Sequence, residues 1–587
     1  MDSWNTVTED ATVKVVKTKR VAGLRQLDAA SPMSFTALKS TCASILSGSV
    51  TGWWTARTSV MNMRGVQYCL NLNAVCNGTS ECPEGDDEGY RCDDDDCQYA
   101  NGGCSHNCTQ TSHGAWCSCP AGLQIFPDNP KLCNDINECE EDLVCSQSCL
   151  NTQGSYYCGC AENYFFSESA GTCKVNRGIN SVVYVAAGNS ITYFNMSDSS
   201  KKTLDWGNEA HINALDGNSR AEKLYFTDLK YKRIMTSDLD GTNEKVLFSG
   251  GLGVMEDLAV DWVADLLYWT DSGFDTITVG TTDGLHRSVL FSANVTKPRS
   301  IAIDNSPTVR TMWWSDWGKN PRIERANMDG TNRTAIVSDD LYWPNAVAVD
   351  VYKQKIYFMD AKLDFIDLCN YDGSARRRLV INHDSVDHPW HMDIFEGNLW
   401  WVDSRRAIIE VCDKLTCHYV THIAAIRSGP LSNIAIVSQA KQPLYDNPCK
   451  YSPCDHICIP NTRSHTCRCS TGYSLRGTRC VRDAEDFLMV STGSMIVGQP
   501  LETNDQHFDS MVPFKINRTL YTMFDYDSRD SYVYWISEHY TRRAHVDGTG
   551  AEDFLPHLTF GPEAFAIDWL ARNIYMADWS VRDCCLL

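Results

Sequence analysis

The chain is predicted to be mostly β: a six-bladed β-propeller flanked by small disulfide-rich modules, followed by the start of a second propeller. Three observations predict this. An aromatic pair closed by an acid returns at near-constant spacing through the middle of the chain. The cysteines crowd into short clusters on either side of that repeat. The repeat then resumes beyond the last cluster. A length of 587 residues is too great for one core, so several domains are expected.

The repeat comes first. "LYFTD" occupies 224–228, "LYWTD" 267–271, "MWWSD" 312–316, "IYFMD" 356–360 and "LWWVD" 399–403. The first aromatics, Tyr225, Tyr268, Trp313, Tyr357 and Trp400, are separated by 43, 45, 44 and 43 residues. Each motif follows a strand ending in an acid: Asp216, Asp261, Asp304, Asp350 and Asp393. After each of the first four comes another alternating strand and an Asp-Gly pair, at Asp240-Gly241, Asp283-Gly284, Asp329-Gly330 and Asp372-Gly373. Asp-Gly suits tight hairpins because the chain there must take positive φ. Four short strands in about 43 residues is the period of a propeller blade. A helical solenoid would need apolar residues at 3.6 spacing, which these segments lack. An acid that recurs in every blade reads as scaffold rather than catalyst.

The blade count follows. "SVVYVAAGNSITYFNM" (181–196) carries Tyr184, 41 residues before Tyr225, and lacks a first strand. "LSNIAIVSQ" (431–439) falls where a next first strand is due. If the late strand completes the early blade, six blades close with no free sheet edge. Blade five has Cys412 and Cys417 in place of the Asp-Gly turn, placed for a disulfide clip, and Cys369 is left as a buried free thiol.

Of the 28 cysteines, 16 lie between Cys69 and Cys173 and six between Cys449 and Cys480. Such density in short segments implies stapled modules of the secretory pathway. Zinc is the rival, but the spacings are not those of two-plus-two zinc sites. Residues 97–133 read C-x6-C-x3-C-x8-C-x-C-x13-C, 139–173 read C-x5-C-x3-C-x8-C-x-C-x12-C, and 449–480 read C-x4-C-x3-C-x8-C-x-C-x10-C. The shared x3, x8 and x1 gaps resemble epidermal-growth-factor-like (EGF-like) modules. That resemblance implies the pairs Cys97-Cys108, Cys104-Cys117, Cys119-Cys133, Cys139-Cys149, Cys145-Cys158, Cys160-Cys173, Cys449-Cys458, Cys454-Cys467 and Cys469-Cys480. A module of about 35 residues buries too little surface alone, so its bridges hold it folded.

The second copy, with "DINEC" (135–139) and "CLNTQGSYYC" (149–158), resembles the calcium-binding EGF pattern. Asp135, Glu138 and Asn151 are hard oxygen ligands suited to calcium. The resemblance adds the carbonyls of Ile136, Thr152 and Ser155, and a role for the ion in stiffening the joint with the preceding module. Upstream, residues 69–92 resemble the second half of a low-density-lipoprotein-receptor class A module. Asp87, Glu88 and Glu81, with Asn77 where Asp is usual, stand as calcium ligands there, with Cys76-Cys92 as the family pair.

The order is then 1–68 uninterpreted, 69–92 partial class A module, 97–133 and 135–173 EGF-like modules, 178–441 a YWTD propeller of class B repeats, 449–480 a third EGF-like module, and 485–587 an incomplete second propeller. That order resembles the low-density lipoprotein receptor family, and two tandem propellers resemble its large receptor-related members. The start does not read as a signal peptide and no run of about 18 apolar residues follows, so either the chain is a fragment of a larger exported protein with its anchor elsewhere, or its ends are not biological.

A net charge of −22 disfavours nucleic acid and favours basic partners or divalent cations. Six sequons, at Asn77, Asn107, Asn195, Asn294, Asn332 and Asn517, agree with secretion. The resemblance implies calcium-dependent capture of extracellular protein or lipoprotein ligands, uptake from the plasma membrane, and acid release in endosomes. Histidines are the natural acid sensors. In the first propeller they are His211, His286, His383, His388, His391, His418 and His422, of which His211, His388 and His391 are the chosen candidates. A propeller hub of the Wnt co-receptor or nidogen type is the alternative. An esterase of the calcium-propeller kind would need single, non-repeated acids and a histidine near the channel, whereas the evident acids repeat.

Overall fold

A computed structural model describes residues 59–63, 66–70, 79–80, 96–111, 114–141, 144–207, 209–381, 386–426, 428–482, 487–491, 495–500, 511–515, 523–536, 540–556, 562–578 and 583–586. The chain falls into two units, 1–136 and 137–587. The first contains a cysteine module of two hairpins, Asn107–Thr111 with Gly114–Ser118 and Leu123–Phe126 with Asn129–Asp135. Its bridges are Cys97–Cys108, Cys104–Cys117 and Cys119–Cys133. Gly102 has φ +60° and a Cβ there would lie 2.5 Å from Ala115 Cβ and 2.8 Å from Cys108 Sγ, so this close approach beside the bridge requires glycine. Of the partial class A module only residues 69–70 and 79–80 are described, and Asn77, Glu81, Asp87, Glu88 and the Cys76–Cys92 pair lie outside the described residues.

In the second unit the module bridged by Cys139–Cys149, Cys145–Cys158 and Cys160–Cys173 leads into a six-bladed propeller. The innermost strands are β1 (Ile212–Asn218), β2 (Met255–Asp261), β3 (Pro298–Asp304), β4 (Pro344–Asp350), β5 (Pro389–Phe395) and β6 (Leu431–Ser438). Each neighbours the next, and β6 neighbours β1, so the ring is closed. The closing blade is composite: β6 pairs with Ser181–Ala187 from the start of the ring, and Ser181 Oγ donates to Ser438 Oγ at 2.9 Å. This removes the lateral edges that an open stack of sheets would expose.

Aromatic pairs fill the space between blades. Trp269, Trp313, Trp314 and Trp401 are all fully buried, each worth roughly 1.5–3 kcal/mol of transfer free energy. The acid closing each motif is a clamp. Asp271 accepts from the backbone N–H groups of Gly253 (2.6 Å), Val254 (2.9 Å), Gly273 (2.8 Å) and Phe274 (3.1 Å), tying the loop before β2 to the loop after the motif strand. Asp228, Asp316, Asp360 and Asp403 likewise accept backbone N–H groups and are fully buried.

The acids ending the inner strands are not one repeated position. Asp261 faces Leu266 and Asp350 faces Lys355, at the hairpin end. Asp216 instead faces Tyr225 and Asp393 faces Trp400, where blades two, three and four have Ala259, Ala302 and Ala348. In blade five a tighter turn, pairing Phe395 with Asn398, hides the two-residue displacement behind unchanged spacing.

Cys412 and Cys417 are bridged, and Cys369 is a buried free thiol. The third module is bridged by Cys449–Cys458, Cys454–Cys467 and Cys469–Cys480. Beyond it stand sheets of three, four and three strands between 487 and 586, led by Phe487–Ser491, Phe524–Asp527 and Pro562–Asp568. Among the described residues no helix is long and apolar enough to cross a membrane.

Candidate functional site

Each inner strand pairs on one side only, so its channel-facing N–H groups need other acceptors. Side chains from the preceding strand supply them. Val260 N donates to Asp216 Oδ2 (2.9 Å), Ile301 N to Asp257 Oδ2 (2.9 Å), Val347 N to Ser300 Oγ (3.1 Å) and Ile436 N to Asp393 Oδ2 (2.8 Å). A polar ring of Asn213, Asp257, Ser300, Asn345, His391 and Asn433 runs through β1 to β6. Within it the acid and the histidine are single, and they meet: His391 Nε2 lies 3.1 Å from Asp257 Oδ2, joining strands β5 and β2 from opposite sides of the ring.

Asp257 is saturated. Besides His391 and Ile301 N, it accepts from Leu258 N (2.9 Å), Ser300 Oγ (2.9 Å) and Asn433 Nδ2 (3.0 Å). His391 Nδ1 faces the Ile434 carbonyl at 3.1 Å. Burial pushes this imidazole down, but the Asp257 carboxylate outweighs it, helped by Asp393 and the Ile434 carbonyl, and holds His391 above its ordinary value. The non-repeated acid and channel histidine that a propeller esterase requires are therefore present, contrary to the sequence reading, but they are spent on each other.

Beside this ring Arg299 is buried, its guanidinium 3.9 Å from the Trp390 ring centre and 5.4 Å from that of Trp317. Its Nη2 has no hydrogen-bond partner among the described residues. Trp343 stands edge-on to Trp317 at 6.4 Å, with the exposed Tyr342 next to it. A guanidinium framed by indole rings suits a carboxylate or carbonyl acceptor. A cavity of about 140 Å³ lies along the channel, lined by Asp216, Asp393, Lys441 and Tyr164. Lys441 Nζ bridges both oxygens of Asp393 at 2.5 Å. Burial pushes Asp216 up to about 6 against the opposing Lys441.

The modules dock on the ring. Glu396 accepts from Lys174 Nζ (2.6 Å) and Val175 N (3.0 Å) of the second module. Of the predicted calcium ligands, Asp135 and Ile136 end the first unit. In the second unit Glu138 opens the turn Glu138–Glu141, which packs on the hairpin Ser148–Thr152 and Ser155–Gly159 that carries Asn151, Thr152 and Ser155. Glu138 Oε2 is buried with no hydrogen-bond partner among the described residues, which fits a cation-facing carboxylate. The two cysteine–histidine clusters of the third module, around His456 and His465, are built from disulfide sulfurs, which lack the thiolate that zinc requires.

The remaining sequence candidates are scattered. His211 is exposed, and His388 Nδ1 sits on the Asp387 carbonyl. Asn107, Asn294 and Asn332 are exposed, while Asn195 Oδ1 accepts from Ser197 of its own sequon. Asn77, Asn517 and His383 lie outside the described residues. Sequence reasoning missed Asp257, Arg299, Trp390 and His456. Asp257 pairs with Thr270 at the register where blade four has Ala346 and blade five His391, so the acid stands out only once the strands are aligned by their pairing.

Comparison with known proteins agrees with this architecture. Residues 222–262, 265–305 and 310–351 match low-density lipoprotein receptor repeat class B. The vitellogenin receptor Yl of Drosophila melanogaster is 29% identical over 79% of the chain, and the vitellogenin receptor of Solenopsis invicta 32% over 65%. Low-density lipoprotein receptor-related protein 4 of Mus musculus is 33% identical over 82%. The chain spans 24%, 21% and 25% of these three relatives. A chain from a nidogen–laminin complex aligns at TM-score 0.40 and 24% identity, over 44% of this chain and 98% of that one. Class B repeats closed into a propeller between EGF-like modules define an extracellular ligand-binding region of receptor type. The chain belongs to the low-density lipoprotein receptor family.

Proposed function

We propose that this region serves an endocytic receptor: it takes part in calcium-dependent capture of an extracellular lipoprotein-class ligand and in its release in acidic endosomes, without catalysis. The supporting observation is the channel wall, where Asp257 is saturated by five donors and Asp393 is bridged by Lys441. Acids so engaged position blades and leave no free base for substrate. Glu138 and Asn151 would help hold calcium in the second module, where the ion supplies rigidity rather than chemistry.

Two relatives are named vitellogenin receptors, which makes vitellogenin the first ligand to try. The immobilised chain is exposed to vitellogenin at pH 7.4 with calcium, then washed at pH 5.5 or with a chelator. Retention at pH 7.4 and loss in both washes is the expected result. Binding indifferent to pH would favour the second reading, a protein-interaction hub of the Wnt co-receptor or nidogen type, for which Arg299 between Trp317 and Trp390 is the specific observation.

A further inference from the structure

We propose that the seam between the third cysteine module and the first propeller is a proton-operated latch formed by His286 and His456. This goes beyond the receptor reading and does not depend on what the region binds. His286 follows the Asp283-Gly284 turn of blade two, and His456 precedes the module strand Ile457–Pro460. Their rings stack at 4.4 Å between centroids and 12° between planes. Ser470 of the module holds both: its Oγ lies 3.0 Å from His286 Nδ1, and its backbone N donates to His456 Nδ1 at 3.1 Å.

That last bond fixes the protonation state. A backbone N–H can only donate, so His456 Nδ1 is a bare acceptor and the docked ring is neutral with its proton on Nε2. A second proton has to enter at Nδ1. It abolishes the Ser470 bond, sets N–H against N–H, and brings positive charge onto a stacked imidazole.

The charged neighbours do not reverse this. On the propeller side stand Arg287, fully buried with its carbonyl accepting Thr471 N (3.0 Å) and its Nε donating to the Asp547 carbonyl (2.5 Å), and Asp283, already capped by Leu285 N and Thr281 Oγ1. On the module side Asp455 accepts from Cys480 N, Arg468 donates to Ser288 Oγ and the Val289 carbonyl, and Tyr473 meets His456 edge-on at 4.8 Å. Burial first, then His286, lower the His456 value, and Asp455 and Asp547 only partly oppose them.

The rest of the seam does not pass through a histidine. Ile457 and Ile459 are fully buried in one cluster with Tyr268 and Trp314, and Thr466 Oγ1 donates to Asp329 Oδ2 at 2.9 Å. Acid therefore opens the histidine corner while the apolar contact still holds the module to the ring.

The direction follows from linkage. The docked ring binds its proton less readily than a free histidine near pH 6.5, so docking is strongest above that pH and weakens as pH falls below it. Between pH 7.4 and 5.5 the closed-to-open ratio of this corner falls by up to about tenfold.

The test uses the full chain and amide hydrogen exchange at Ser470, Thr471 and the strand His465–Arg468, corrected for intrinsic rates at the two pH values. Protection is expected to fall up to about tenfold at pH 5.5 in the wild type. It should stay flat in His456→Asn, whose Oδ1 replaces the Nδ1 acceptor and cannot titrate. A wild type indifferent to pH, or an equal fall in the variant, overturns the latch. Exchange at the imidazole C2–H of wild-type His456 gives its midpoint without any variant: a value below the free histidine supports the latch, and one at or above it refutes it. Acid release of vitellogenin is scored separately, so failure of the latch leaves the receptor reading standing and the reverse.

Discussion

Replacing Asp257 by alanine is the sharpest probe of the channel. The substitution strands His391 Nε2, Ser300 Oγ, Asn433 Nδ2 and the N–H groups of Leu258 and Ile301 in a site where Asp257 is only 2% exposed. Breaking a buried pair costs about 3–5 kcal/mol. The neutral alternative, five separately rehydrated donors, would cost far less. Urea unfolding of the full chain, followed by the fluorescence of the buried tryptophans, reads the difference directly. The pH dependence then tests the pair itself. His391 is raised above its ordinary value in the fold, so the pair contributes fully below about pH 6.5 and its contribution is lost as pH rises through the raised value. The gap between wild type and Asp257→Ala should thus be wider at pH 6 than at pH 9. A cost under about 1 kcal/mol, or a gap that widens with rising pH, would refute the reasoning. If the reasoning holds, the His391 proton strengthens the bond to Asp257 and so tightens the channel wall as pH falls, the opposite of an acid-opened contact.

Three further outcomes are expected. Asp271→Ala removes the acceptor of four backbone N–H groups and should lower stability by about 3 kcal/mol or more, read as a fall in the thermal midpoint. Opening Cys412–Cys417 by a double serine substitution releases a bridge of sequence separation 5, costing about 2 kcal/mol in the same measurement and leaving the other blades intact. Chelation of calcium should speed proteolysis in the second module, and Glu138→Gln should show the faster rate with or without chelator.

The blades were legible in the sequence because a hydrogen-bond clamp imposes its own spacing. An acid such as Asp271 must stand where it can reach loops on both sides, so its position repeats with the blade. The bridges of the EGF-like modules were legible for the same reason, since fixed gaps carry fixed crossings. The inner-strand acids misled, because blade five closes its hairpin with a shorter turn and keeps its residue count. Asp393 thereby looks like Asp350 in the sequence and takes a different place in the channel. His391 was named for its chemistry alone, while its partner Asp257 stands 134 residues earlier and only the ring brings them together. The histidine seam was hidden likewise: His286 and Ser470 are 184 residues apart, and no local pattern links them.

The composite blade also sets an order of events during synthesis. Ser181 waits for Ser438, 257 residues downstream, before the circle can shut. At translation speeds of about 5–20 residues per second, that delay is roughly 13–50 seconds. Throughout it the sheet that begins at Ser181 has an uncovered flank, with which another chain could pair. That one flank is the edge the topology leaves until last, and a nonsense mutation anywhere before Leu431 would leave it open for good.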